Sequence, residues 1–92
     1  MIISFRHRGL KKFFLLGKAG FINPAYISKV SDILTKLNDA EIIEDMDVIT
    51  FRLHPLSGNK KDRWSVTVRS NWRITFSFEN GKAYNVDLED YH

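Results

Sequence analysis

From Trp64 to Leu88 apolar and polar residues alternate with a period of two, and this ladder limits the available folds more than any other feature of the chain. Trp64, Val66 and Val68 alternate with Ser65, Thr67 and Arg69. After Ser70-Asn71, Ile74, Phe76 and Phe78 alternate with Arg73, Thr75 and Ser77. After Asn80-Gly81, Tyr84, Val86 and Leu88 alternate with Asn85, Asp87 and Glu89. Runs of this kind are strands with one face on a core and the other polar, and in sequence they form an antiparallel meander. A shorter run from Thr50 sets Phe51 and Leu53 against Arg52 and His54 and is expected to end at Pro55, which cannot donate to a ladder.

The first half has a different period. Ile2 to Phe5 is a short β-like run, and Leu10, Phe13 and Phe14 follow at helical spacing, with Gly17 placed to end that helix. Asn23-Pro24 reads as an N-cap and first helical position, ahead of Ile27, Val30, Leu34 and Leu37 at intervals of three and four. Asp39 to Met46 reads as a short acidic helix or a connector. With 92 residues there is material for one hydrophobic core, so residues 1–92 are expected to form a single α+β domain. An N-terminal strand and two helices would pack on a C-terminal antiparallel β-meander.

Composition excludes several functions. There is no cysteine, hence no disulfide, thiolate metal site or thiol nucleophile, and a reducing, cytoplasmic setting is expected. The longest apolar run near the start, Phe13 to Leu16, is too short for a signal or a membrane span. The net charge of +3 conceals two basic blocks. Residues 1–20 carry Arg6, Arg8, Lys11, Lys12 and Lys18 with no acid, residues 21–50 are acidic, and residues 51–76 carry Arg52, Lys60, Lys61, Arg63, Arg69 and Arg73 against Asp62 alone. Blocks of this kind attract phosphate backbones, although a solvated surface can carry the same charge.

Strand parity sharpens the candidates. Keeping apolar faces together requires a three-residue or bulged connection at Ser70-Asn71, pairing Arg69 with Arg73 and Val68 with Ile74. The same rule rejects a tight turn at Asn80-Gly81 and pairs Phe78 with Tyr84, Phe76 with Val86 and Arg73 with Glu89. Two arginines face to face are costly unless an anion or a carboxylate lies beside them. If the last strand continues, Asp90, Tyr91 and His92 run beside this basic face, with Tyr91 offering a surface for an unpaired base; chain ends also commonly fray.

His54, Asp90, Tyr91, His92, Arg69, Arg73, Lys60 and Lys61 together resemble a nuclease set. Cleavage of RNA by its own 2′-hydroxyl needs a group to take that proton, a group to protonate the leaving 5′-oxygen, and cations to hold charge on phosphorus. A metal site built from His54, His92, Asp87, Glu89 and Asp90 is the rival use, but no metal-ligand spacing is present and none is expected. No P-loop, nucleophile elbow or dinucleotide fingerprint occurs, and no cofactor is expected.

Leu53-His54-Pro55-Leu56 with Gly58, Trp64 to Arg69, Asn71 to Phe76 and Asp90-Tyr91-His92, with the opening Ile3-Ser4-Phe5, closely resemble the HigB toxins of the RelE superfamily. The resemblance implies a RelE-like microbial RNase fold whose concave face enters the ribosomal A site and cuts messenger RNA. It implies a helix-turn-helix antitoxin like HigA as partner, with operator DNA bound only through the complex. His54, Asp90 and His92 then fall at acid–base positions, Tyr91 where the nucleotide is oriented, and Arg69 and Arg73 at phosphate contacts. The basic block Arg6, Arg8, Lys11 and Lys12 would meet the 70S ribosome and its 16S RNA. Some relatives carry lysine where this chain has Ser57, leaving Lys60 or Lys61 to substitute. Two other readings are a same-fold ParE-like poison of DNA gyrase, whose pattern does not lead one to expect His54 with Asp90-Tyr91-His92, and a non-catalytic RNA or ribosome binder.

Overall fold

The computed structural model describes residues 1–56 and 62–90. Two α-helices, α1 (Arg8–Leu16) and α2 (Ile27–Asp39), precede an antiparallel sheet of β1 (His54–Pro55), β2 (Arg63–Arg69), β3 (Trp72–Glu79) and β4 (Lys82–Asp90) in the order β1-β2-β3-β4. The expected α+β architecture is present. Both helices supply one side of the core, with Leu10, Val30, Ile33, Leu34 and Leu37, and the sheet supplies the other with Val66, Val68, Ile74, Phe76, Ala83 and Val86. The opposite face of the sheet carries no helix and is polar.

Local chemistry explains the helix ends. His7 caps α1, its Nδ1 accepting the Leu10 N–H at 3.0 Å. Gly17 ends the helix in the left-handed region (φ 71°), where a side chain would be strained, and its N–H reaches the Phe13 carbonyl at 2.9 Å. Asn23 accepts the Ala25 N–H at 2.9 Å, but Pro24 to Tyr26 wind as a single 3₁₀ turn before α2 begins at Ile27.

Several expectations are corrected. The segment Ile2 to Phe5 runs parallel to β4 but forms only two isolated bridges, Ile2 with Ala83 and Phe5 with Val86. Between them Asn85 adopts φ 51°, so its N–H turns to the Ser4 hydroxyl (2.9 Å) and the ladder is interrupted. The residues from Thr50 do not form a strand ending at His54. Ile49–Phe51 is a 3₁₀ turn that draws Phe51 into the core, Arg52 (φ 51°) redirects the chain, and the strand is only His54–Pro55. Pro55 belongs to the ladder instead of stopping it, because an edge strand can leave its outward side without a donor.

Register differs as well. Val66 pairs with Ile74, Thr67 with Arg73 and Arg69 with Trp72, around a bulge between Thr67 and Arg69. The extra residue, Val68, stays in the core, so Arg69 and Arg73 are not face to face and Val68 does not oppose Ile74. On the other side Arg73 pairs with Glu89 as expected, but Phe78 pairs with Ala83 and Tyr84 with Ser77. The tight turn at Asn80-Gly81 exists after all, with φ 51° and 75° at its two residues, the geometry that suits strand twist. The bulge at Asn85 shifts the phase by one residue, turning Ala83 into the core in place of Tyr84.

Asp39 to Met46 gives only a 3₁₀ turn, Ile43–Met46. Asp45 holds the chain leading into it, one carboxylate oxygen accepting the N–H of Glu41 at 2.9 Å and of Ile42 at 3.3 Å. The Glu41 bond first, then that of Ile42, hold this carboxyl below the usual carboxylate range; desolvation opposes them, and Lys36 adds a small lowering. A depressed native value means stabilisation that is present above the unfolded-state value and lost as pH falls through the native one. Asp45→Asn is therefore expected to lower the unfolding midpoint in urea at neutral pH, with the gap to wild type closing in acid. A gap that is constant from pH 7 to pH 3 would assign the effect to something other than the carboxylate charge.

Candidate functional site

Register arranges the helix-free face in rows. Directly opposed residues share a face, so His54, Ser65, Thr75 and Asp87 form one row across the four strands, and Thr67, Arg73 and Glu89 form the next. An open concavity of about 700 Å³ lies over this corner, lined by Arg52, His54, Leu56, Thr67, Ser70 and Arg73. Its walls are the chain entering β1 and the β2–β3 turn.

His54 reaches the concavity because β1 is an edge strand. Its neighbour Ser65 is buried, while His54 itself is exposed, and the Leu56 N–H fixes the following chain to the Arg63 carbonyl at 2.9 Å. Arg73 approaches from β3. Its Nη1 donates to the Ser70 carbonyl at 2.6 Å and to the Trp72 carbonyl at 3.4 Å, which anchors the guanidinium at the turn that Ser70 closes with φ 52°. Among the described residues Nε and Nη2 of Arg73 make no hydrogen bond, so two donor nitrogens remain for an anion in the concavity. A histidine and two arginines around one open hollow can exchange protons and bind a phosphodiester at the same place.

Of the expected site residues, the structure brings His54 and Arg73 together. Arg69 and Asp90 stand in the next row, each opposite Trp72 and out of phase with Arg73 and Glu89; both are exposed at the sheet end and neither lines the concavity. Lys60, Lys61, Tyr91 and His92 lie outside the described residues, as does Ser57. Arg6, Arg8, Lys11 and Lys12 are all exposed, and Arg8, Lys11 and Lys12 border a second hollow of about 360 Å³ with Leu15 and Leu16. Because α1 packs on the core side of the sheet, this hollow is on the other side of the molecule from His54. Among the described residues no three His, Asp or Glu side chains are grouped so as to hold a metal ion.

Three residues were missed. Arg52 and Thr67 line the concavity, and both sat on the polar phase of their alternating runs, Arg52 two residues before His54. Arg63 is the third. It is buried on the polar face, with Nη2 donating to Thr75 Oγ1 at 2.8 Å, Nη1 to Ser77 Oγ at 3.4 Å, and both to the Asn85 carbonyl at 3.2 Å. Its position one residue before Trp64 carried the polar phase, but only the bulge at Asn85 supplies its carbonyl partner.

The family model for HigB, the RelE-like toxin of type II toxin–antitoxin systems, matches residues 3–92. The chain belongs to the HigB family of RelE-like toxins. It is 42% identical over 92 residues to the protein named Endoribonuclease HigB from Proteus vulgaris, with 100% of both chains covered. Among solved structures it is similar to that of a point mutant of YafQ from E. coli, with a TM-score of 0.54 over 98% of this chain and 93% of that one. At 12% identity that likeness is one of fold alone. His54 and Arg73, which belong to the stretches that resemble HigB, thus line the same concavity, while Asp90 does not line it.

Proposed function

We propose that this chain is the endoribonuclease toxin of a type II toxin–antitoxin module. It cuts messenger RNA in the A site of translating ribosomes, by attack of the RNA's own 2′-hydroxyl and without a metal ion. The observation that carries this reading is the single concavity shared by His54, Arg52 and Arg73, supported by family membership over nearly the whole chain. A relative of equal length bears the name endoribonuclease.

The chemistry follows from the groups at hand. As the 2′-oxygen bonds to phosphorus, charge grows on the non-bridging oxygens, and the guanidiniums of Arg73 and Arg52 stabilise it. The 2′-hydroxyl proton leaves to a base and the 5′-oxygen gains one from an acid, giving a 2′,3′-cyclic phosphate and a 5′-hydroxyl. His54 takes one of these roles. Asp90 and His92 are proposed for the other, with Tyr91 stacking on the base and Arg69, Lys60 and Lys61 adding phosphate contacts. The cations of α1 and the preceding turn, Arg6, Arg8, Lys11 and Lys12, face ribosomal RNA, and the toxin is held inactive in the cytoplasm by a helix-turn-helix antitoxin that carries the pair to operator DNA.

Primer extension on translating ribosomes with EDTA present tests the reading. Discrete breaks within codons are expected, with 5′-hydroxyl ends. Intact message under those conditions, with supercoiling by gyrase inhibited instead, would replace it with the gyrase-poison reading.

A further inference from the structure

Glu89 and Arg73 are direct cross-strand partners of opposite charge, yet no ion pair joins them. Residues so opposed have Cβ atoms about 5 Å apart, within easy reach for a glutamate and an arginine. Each is engaged elsewhere. Arg73 is turned to the Ser70 carbonyl at 2.6 Å, and Glu89 Oε2 accepts the Thr75 hydroxyl at 2.6 Å. Thr75 is wholly buried, and its hydroxyl is committed on both sides, receiving Arg63 Nη2 at 2.8 Å while giving its one proton to Glu89. The chain Arg63 to Thr75 to Glu89 therefore has a fixed direction. Arg63 is in turn locked by the Asn85 carbonyl, which the left-handed bulge presents to it.

A carboxylate beside a phosphate-binding arginine is a competitor for that arginine. Left to itself, Glu89 would pair with Arg73 and any phosphate would have to displace it. We propose that Arg63 and Thr75 hold Glu89 aside, so that Arg73 stays open to a phosphate of the bound RNA. Arg63 and Thr75 are then positioning residues, acting through Glu89 on Arg73 without touching substrate. This rests on the reading of Arg73 as a phosphate contact.

The test is binding of a fluorescein-labelled, all-2′-O-methyl oligoribonucleotide, which cannot be cut, followed by anisotropy at low salt. Thr75→Val keeps the β-branched shape but removes the hydroxyl, and is expected to weaken binding roughly tenfold, the size of one charge-assisted hydrogen bond. Adding Glu89→Gln to Thr75→Val is expected to restore it, which a merely structural role for Thr75 would not allow. On the wild-type background Glu89→Gln should tighten binding. Glu89→Asp, which keeps the charge but is too short for the Thr75 hydroxyl, should weaken it; these two variants of a half-buried residue on the edge strand β4 suffice if Thr75→Val does not fold. Weaker binding by Glu89→Gln, or no rescue of Thr75→Val by it, overturns the proposal. Wild-type binding by Arg73→Ala would instead overturn the assignment of Arg73 itself.

Discussion

Replacing His54 with alanine is expected to slow message cleavage by about 10²–10⁴-fold, the usual contribution of one positioned general acid or base. The residue suits this test because it is exposed and its side chain makes no hydrogen bond with any described residue, so its removal should leave the stability within about 0.5 kcal/mol of wild type. Loss of activity could not then be attributed to loss of fold. Ribosome binding should persist, since the cations expected to meet ribosomal RNA are on other surfaces. Single-turnover cleavage on programmed ribosomes gives the rate, and co-sedimentation gives the binding. If His54→Ala cut at the wild-type rate, proton transfer would have to be placed wholly on Asp90 and His92, and the concavity would keep only a binding role.

The second large effect is on stability. Phe76→Ala is expected to cost about 3–5 kcal/mol, the range for removing a fully buried phenylalanine, and to lower the melting temperature by roughly 15–30 °C. Phe76 is wholly buried on β3, beside the β4 bulge, with its ring toward the helices while Thr75 and Ser77 on either side face the polar sheet surface. A cavity there loosens the strand that carries Arg73 and Thr75. Phe76→Leu should cost much less, because most of the volume is kept. Calorimetric unfolding of both variants checks this, and a loss below about 1 kcal/mol for the alanine variant would mean that the core collapses around the gap.

These expectations separate what each side of the sheet does. The core face obeys a simple rule, that apolar side chains leave water, and alternation along the chain reports it directly. For that reason the meander, α1 ending at Gly17, and the helix after Asn23-Pro24 were legible in the order of residues alone. The site was less so. His54 and Arg73 were recoverable from residue type and motif, and the pairing of Arg73 with Glu89 from parity. Arg52, Thr67 and Arg63 were overlooked because polar residues on a polar phase look alike whether they line a hollow, lock a network or simply face solvent.

Sequence by itself determined the α+β class, the order of helices and strands, most of the core, and the family to which the chain belongs. Those depend on local propensity and on patterns that repeat every two or every three to four residues. Tertiary structure decided the two bulges, the tight turn at Asn80-Gly81, the reduction of the Thr50–His54 run to the edge strand His54–Pro55, and hence which charges meet. A bulge is a choice between two nearly equivalent phases of the same alternating strand, settled by what surrounds the strand: Asn85 bonded to Ser4 and Arg63, and Val68 buried in the core. One residue of slip moves a side chain to the other face. That slip separated Arg69 from Arg73 and set Arg73 beside His54, Arg52 and Thr67.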